Sequence, residues 1–141
     1  MKGDGVVETG LEGLSAEVER DLKGYNEAFV QANRDDDPSL MRLWMRLPLM
    51  RFGNGSVAEV ATPQAVDAMY GRMVDGLKGT GYVRSVLSDF HVDVLNPTTA
   101  LVRCHAVRER ADGSVIEAFE AAYLMARAED RWQVACLISR R

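Results

Sequence analysis

Cysteine and histidine are scarce in this chain, with two of each among 141 residues. No CxxC spacing exists, which disfavours a local zinc or redox motif. Cys104 and Cys136 both fall inside strongly patterned strands, and two buried thiols in a reducing compartment fit that placement. An excess of basic charge is also missing. The 17 Lys and Arg against 21 Asp and Glu leave a net charge of −4, with the cations scattered along the chain. That argues against nucleic acid or an anionic membrane as the main partner. No apolar run approaches the roughly 20 residues that span a bilayer. The N-terminus MKGDGVVETG lacks the basic start and long apolar stretch of a signal peptide, so a cytoplasmic protein is expected. Repeats and low-complexity runs are absent too. What remains, 47% apolar and 27% charged residues, is the composition of one globular domain large enough to bury its own core.

The pattern along the chain divides early helix from late strand. Residues 1–13 hold four glycines and little periodicity, and read as a flexible lead-in to a single domain over 14–141. Ser15 can cap a helix running to about Asn33, with Val18, Leu22, Tyr25, Phe29 and Ala32 on one face. Gly24 weakens its middle, so tertiary packing must hold it. Asp37-Pro38 restarts a short helix to about Met45. Leu47–Phe52 is a short strand that Pro48 places at an edge or a strand start, and Ser56–Val60 is its return. Thr62-Pro63 opens a third helix to about Lys78, and Gly79-Thr80-Gly81 stops it. Tyr82–Leu95 is a long strand. Three more strands follow between Asn96 and Arg141, joined by tight turns at Ala-Asp-Gly-Ser (111–114) and Ala-Glu-Asp-Arg (128–131).

This order of elements resembles the nuclear-transport-factor-2-like superfamily, and within it the SnoaL-like branch. The residues that carry the resemblance are Tyr25-x-x-Ala28-Phe29 with the acidic Asp35–Asp37, Thr62-Pro63, and Tyr123 followed by Asp130-Arg131-Trp132-x-Val134. It covers residues 15–140. It implies an α+β fold, a cystatin-like cone. A strongly curved antiparallel sheet of about four long strands plus a small hairpin wraps over three N-terminal helices and encloses an apolar pocket. Members include ketosteroid isomerase, scytalone dehydratase, limonene epoxide hydrolase and polyketide cyclases, and dimers are common among them.

Turn geometry sorts the strand side chains into two faces. A two-residue turn at Asp112-Gly113 pairs Arg108 with Glu117, Ala106 with Phe119, Cys104 with Ala121 and Val102 with Tyr123. A two-residue turn at Glu129-Asp130 pairs Arg127 with Trp132, Met125 with Val134, Tyr123 with Cys136 and Ala121 with Ile138. Because side chains alternate, these residues share one nearly apolar inner face, joined by Phe90, Val92 and Val94. Arg108 and Glu117, with Ser88 near, would sit at the pocket mouth or form a plain cross-strand ion pair. Tyr25 and Tyr123 would present phenols inside, each bonding a ligand or another protein group.

The outer face would carry Leu101, Arg103, His105, Leu124 and Leu137. There His105 faces Glu120 on one side and His91 on the other, and Asp93 faces Arg103. The set His91, His105 and Glu120 has the composition of a two-His-one-carboxylate metal site, or of a polar cluster on the sheet. The apolar residues around it predict a two-fold homodimer through this face.

Comparison with ketosteroid isomerase sharpens the question of catalysis. Tyr25 matches the helix-1 oxyanion tyrosine of that enzyme, and Tyr123 falls where it has a protonated aspartate donor. Its general-base aspartate would fall in Met50–Phe52, where this chain has Met50, Arg51 and Phe52. The leading expectation is therefore a binding module for a small hydrophobic molecule, without cofactor. Tyr25, Trp44, Tyr70, Phe90, Phe119, Tyr123 and Trp132 would supply its pocket. The alternatives are a cofactor-free isomerase, cyclase, dehydratase or epoxide hydrolase using Tyr25 and Tyr123 as donors with Arg108 and Glu117, Arg51 or Arg84 as charged partners, and a structural dimerisation domain packed shut by Met50, Met73 and Met125.

Overall fold

The structure is a computed structural model that describes residues 2–139, and only the backbone for residues 2–10 and 12. Helix α1 spans Lys2–Asp35, so its backbone takes in the stretch expected as a lead-in, and Ser15 lies within it rather than at its cap. The predicted stripe holds: Val18, Leu22, Tyr25, Phe29 and Ala32 are all buried. Asp37 caps the next segment, its carboxylate accepting from the Ser39 N–H, and that segment is a 3₁₀ helix over Pro38–Trp44. Thr62 caps helix α2, Pro63–Leu77, through its hydroxyl and the Ala65 N–H, and Pro63 occupies the first turn.

Six strands form one unclosed sheet: β1 (Met45–Gly53), β2 (Ser56–Val60), β3 (Tyr82–Asn96), β4 (Thr99–Arg110), β5 (Val115–Arg127) and β6 (Trp132–Ser139). Their order is β2-β1-β6-β5-β4-β3. All neighbours are antiparallel except β1 and β6, which run parallel. The small hairpin is thus not separate. It extends the sheet beyond β6, and β1 is an interior strand rather than an edge. Pro48 is accommodated because the β1–β6 register shifts between Met45 and Met50, where its missing N–H is not needed.

The helices cover the inner face. Trp132, fully buried, sits where β6 begins, and its backbone N–H donates to the buried Asp21 carboxylate of α1 at 2.8 Å. That bond, with the Arg127–Glu17 ion pair at 3.5 Å, fastens the β5–β6 turn to α1. Trp44 packs over Gly24 of α1, while the Arg131 guanidinium covers its ring 4.7 Å from the centroid. Gly24 therefore has a packing reason to lack a side chain.

The β4–β5 register matches all four pairs expected from the Asp112-Gly113 turn. The β5–β6 register matches only as far as Met125–Val134. Beyond it, Ala135 is an extra residue, and Leu124 pairs with Cys136, Tyr123 with Leu137 and Ala121 with Ser139. This bulge reverses the alternation. Leu137, expected outside, joins the inner row, while Cys136 and Ile138 join the outer one. A second bulge lies in β3, where Asp89 and Phe90 both oppose Cys104 and Asp89 takes a positive φ of 54°. Ser85, not Ser88, consequently faces Arg108. His105 faces Ser88 and His91 faces Arg103, so the expected His91–His105 and Asp93–Arg103 pairs do not form.

Candidate functional site

One row of paired residues crosses all six strands on the inner face: Val92, Val102, Tyr123, Leu137, Arg51 and Ala58. Strand alternation carries every member of the row to the helix side. A cavity of about 440 Å³ lies between the sheet and α1. Its walls come from Tyr25, Asn26 and Phe29 of α1, Met73 of α2, and Arg51, Ser85, Leu87, Ala106, Arg108, Phe119, Ala121, Tyr123, Leu137 and Ser139 of the strands. Small side chains at Ala106 and Ala121 leave the space open. Asn54 and Ser56 lie at its exposed rim.

Several polar groups in this cavity have defined partners. The Tyr25 and Tyr70 hydroxyls are hydrogen-bonded at 2.8 Å, and Tyr70 reaches the Met45 sulfur at 3.7 Å. The Tyr25 ring also packs edge-on against Tyr123, 5.7 Å between centroids. Burial pushes the Tyr25 phenol up to about 12, opposed by the Tyr70 hydrogen bond and by the positive field of Arg108 and Arg51. Burial holds Tyr70 and Tyr123 well above the ordinary tyrosine value as well. All three are neutral hydrogen-bonding groups at physiological pH, not bases. Arg108 lies between the rings of Phe29 and Phe119, at 5.4 and 5.1 Å, and donates to Glu117 at 3.0 Å. Arg84, a further candidate cation, is bound to Glu109 at 2.7 Å.

Of the residues expected to line a pocket, Tyr25, Phe119 and Tyr123 do so, and Tyr70 stands directly behind Tyr25. Trp44, Phe90 and Trp132 do not. Trp44 belongs to the 3₁₀ helix and packs on α1, Trp132 is enclosed in the core, and Phe90 is displaced by the β3 bulge and lies under Lys23 at 5.2 Å. Arg108 lines the cavity, with Glu117 as its ion-pair partner. His91, His105 and Glu120 do not converge. His105 Nδ1 meets Glu120 Oε2 at 2.6 Å, His91 faces Arg103, and among the described residues no group of three His, Cys, Asp or Glu is placed to hold a metal ion. Arg51 lines the cavity as well; the sequence offered it only as a charged partner in the enzyme alternative, not among the ligand-binding residues. Its signal was the β1 alternation Leu49-x-Arg51, since Leu49 is fully buried.

The profile of the NTF2-like protein family DUF6841 matches residues 16–141. The chain belongs to this family. No curated protein is significantly similar to it in sequence. Solved structures share the fold of this family member at low identity. An NTF2-like protein with a cystatin-like fold from Novosphingobium aromaticivorans is 17% identical, covering 87% of this chain and 80% of its own, with a TM-score of 0.65. An NTF-2 like protein of unknown function from Shewanella oneidensis is 15% identical, covering 86% and 97%, with a TM-score of 0.64. Aln2 from a Streptomyces species is 13% identical, covering 89% and 90%, with a TM-score of 0.66. Among the described residues no helix is long and apolar enough to cross a membrane.

Proposed function

We propose that this chain is a binding module that holds one small, mostly apolar molecule in the cavity between α1 and the sheet. The observation that carries the reading is the cavity of about 440 Å³ itself, walled by Phe29, Leu87, Phe119 and Leu137 around the Tyr25 phenol. A site of that size with a few fixed polar groups is the usual form of a small-molecule pocket. The lining also argues against proton-transfer chemistry. The phenols stay protonated, Glu117 is engaged by Arg108, and Glu120, which also borders the cavity, is bonded to His105. A reaction that removes a proton needs a free base within reach, and none of these groups supplies one. The filled-interior reading is disfavoured by the methionines: Met73 lines the space, Met125 is buried in the core and Met50 pairs within the outer row.

Ligand-observed NMR with a panel of neutral aromatic and alicyclic fragments tests this. Saturable binding of at least one fragment is expected, and its loss in Ala121→Leu, which fills the floor of the cavity. A panel in which nothing binds the wild-type protein would sink the proposal.

A further inference from the structure

We infer that the ligand is an anion, a small carboxylate or similar oxyanion on an apolar body, and that Arg51 receives its charged end. This rests on the binding reading above and names the ligand class for that same cavity. Two cations line the space, Arg51 and Arg108, together with the carboxylate residue Glu120, which is bonded to His105. Arg108 is already neutralised by Glu117 at 3.0 Å and held between two phenyl rings. Arg51 has no ion-pair partner among the described residues, although ten other pairs are formed among those same residues. It is also only partly exposed. A guanidinium taken partly out of water and left without a carboxylate is costly unless something supplies one.

The position of Arg51 defines where that carboxylate would sit. Its pairing with Leu137, and of Leu137 with Tyr123, puts it in the inner row that meets the tyrosines. Its field and that of Arg108 both act on the Tyr25 hydroxyl, and the field of Arg51 acts on Tyr70. A carboxylate entering there would find a two-pronged donor in Arg51 and a neutral hydroxyl in Tyr25, with Phe29, Phe119 and Leu137 around its apolar remainder. The chain as a whole carries −4, so its general field does not attract anions.

Matched probes separate this inference from the reading it rests on. The affinities of 2-naphthoate and of its neutral primary amide, 2-naphthamide, would be measured by calorimetry on the wild type, Arg51→Gln and Arg51→Lys. The acid is expected to bind the wild type at least about tenfold more tightly than the amide, the scale of one charge-assisted contact. Arg51→Gln should abolish that preference, while Arg51→Lys should keep a preference for the acid. Equal binding of acid and amide by the wild type overturns the inference and leaves the cavity reading standing. An acid preference that survives in Arg51→Gln also overturns it. Binding of neither probe counts against both.

Discussion

Substituting Gly24 with alanine sets two known effects against each other, and the structure decides which wins. In the middle of a helix the change should stabilise by roughly 1 kcal/mol, because alanine loses less backbone freedom than glycine. Here an added Cβ would overlap Cη2 of Trp44 and lie 3.0 Å from Cζ3 and 3.1 Å from Cζ2. The indole is rigid, and it cannot simply swing away because Arg131 covers its ring at 4.7 Å. Forcing an extra carbon into such a contact costs about 1–3 kcal/mol. The net expectation is a loss of about 1 kcal/mol, or roughly 3–4 °C in Tm for a domain of this size. The assay is urea unfolding of four proteins: wild type, Gly24→Ala, Trp44→Ala and the double variant. With Trp44 removed the clash is gone, so Gly24→Ala should then stabilise by about 1 kcal/mol. A Gly24→Ala change that raises stability equally in both backgrounds would refute the packing argument.

Two further outcomes follow from the same coordinates. All four tyrosines have folded pKa values raised chiefly by burial, Tyr25 to about 12. A raised folded value means that their contribution to stability is fully present below about pH 10 and is lost as pH rises through the folded value, about 12 for Tyr25. Ultraviolet titration should therefore show less phenolate near pH 10 in the folded protein than in urea, where about half is expected. Coincident curves would contradict the burial. The second outcome concerns assembly. A two-fold dimer through the outer face is expected, using Leu101, Arg103, His105 and Leu124 with the exposed Val86 and Phe52. Because His91 and His105 do not face each other, sedimentation should find the dimer at both pH 5.5 and pH 8. A monomer throughout would remove it.

The parts of the fold legible in the sequence were those with a local chemical signature. Asp37-Pro38 and Thr62-Pro63 marked two helix starts because a capping oxygen and a fixed φ act within three residues. Asp112-Gly113 set the β4–β5 pairing because the turn fixes register for the strands it joins. The two bulges were not announced by a turn, and each reverses the faces beyond it. A trace of the β3 bulge was present, since the apolar alternation Val94, Val92, Phe90 changes phase at Leu87. No such trace marks Ala135, where both phases are apolar. The site was legible in the same uneven way. Alternation told which face Tyr123, Phe119 and Trp132 share, but not that α1 closes over Trp132 and leaves the other two open. The Leu49-x-Arg51 alternation hinted at the face Arg51 takes, but its place beside Leu137 and Tyr123 comes from the β1–β6 pairing, which joins segments about 85 residues apart.

That same pairing gives the cavity an order of construction. β6 is the last of the six strands in the chain, yet it stands third in the sheet, between β1 and β5. Until it is in place, the β1–β2 hairpin has no neighbour on its other side, and Arg51 and Tyr123 belong to unconnected pieces. The cavity therefore has all of its walls only when Trp132–Ser139 lies between β1 and β5, a long-range pairing that the chain makes with its last strand.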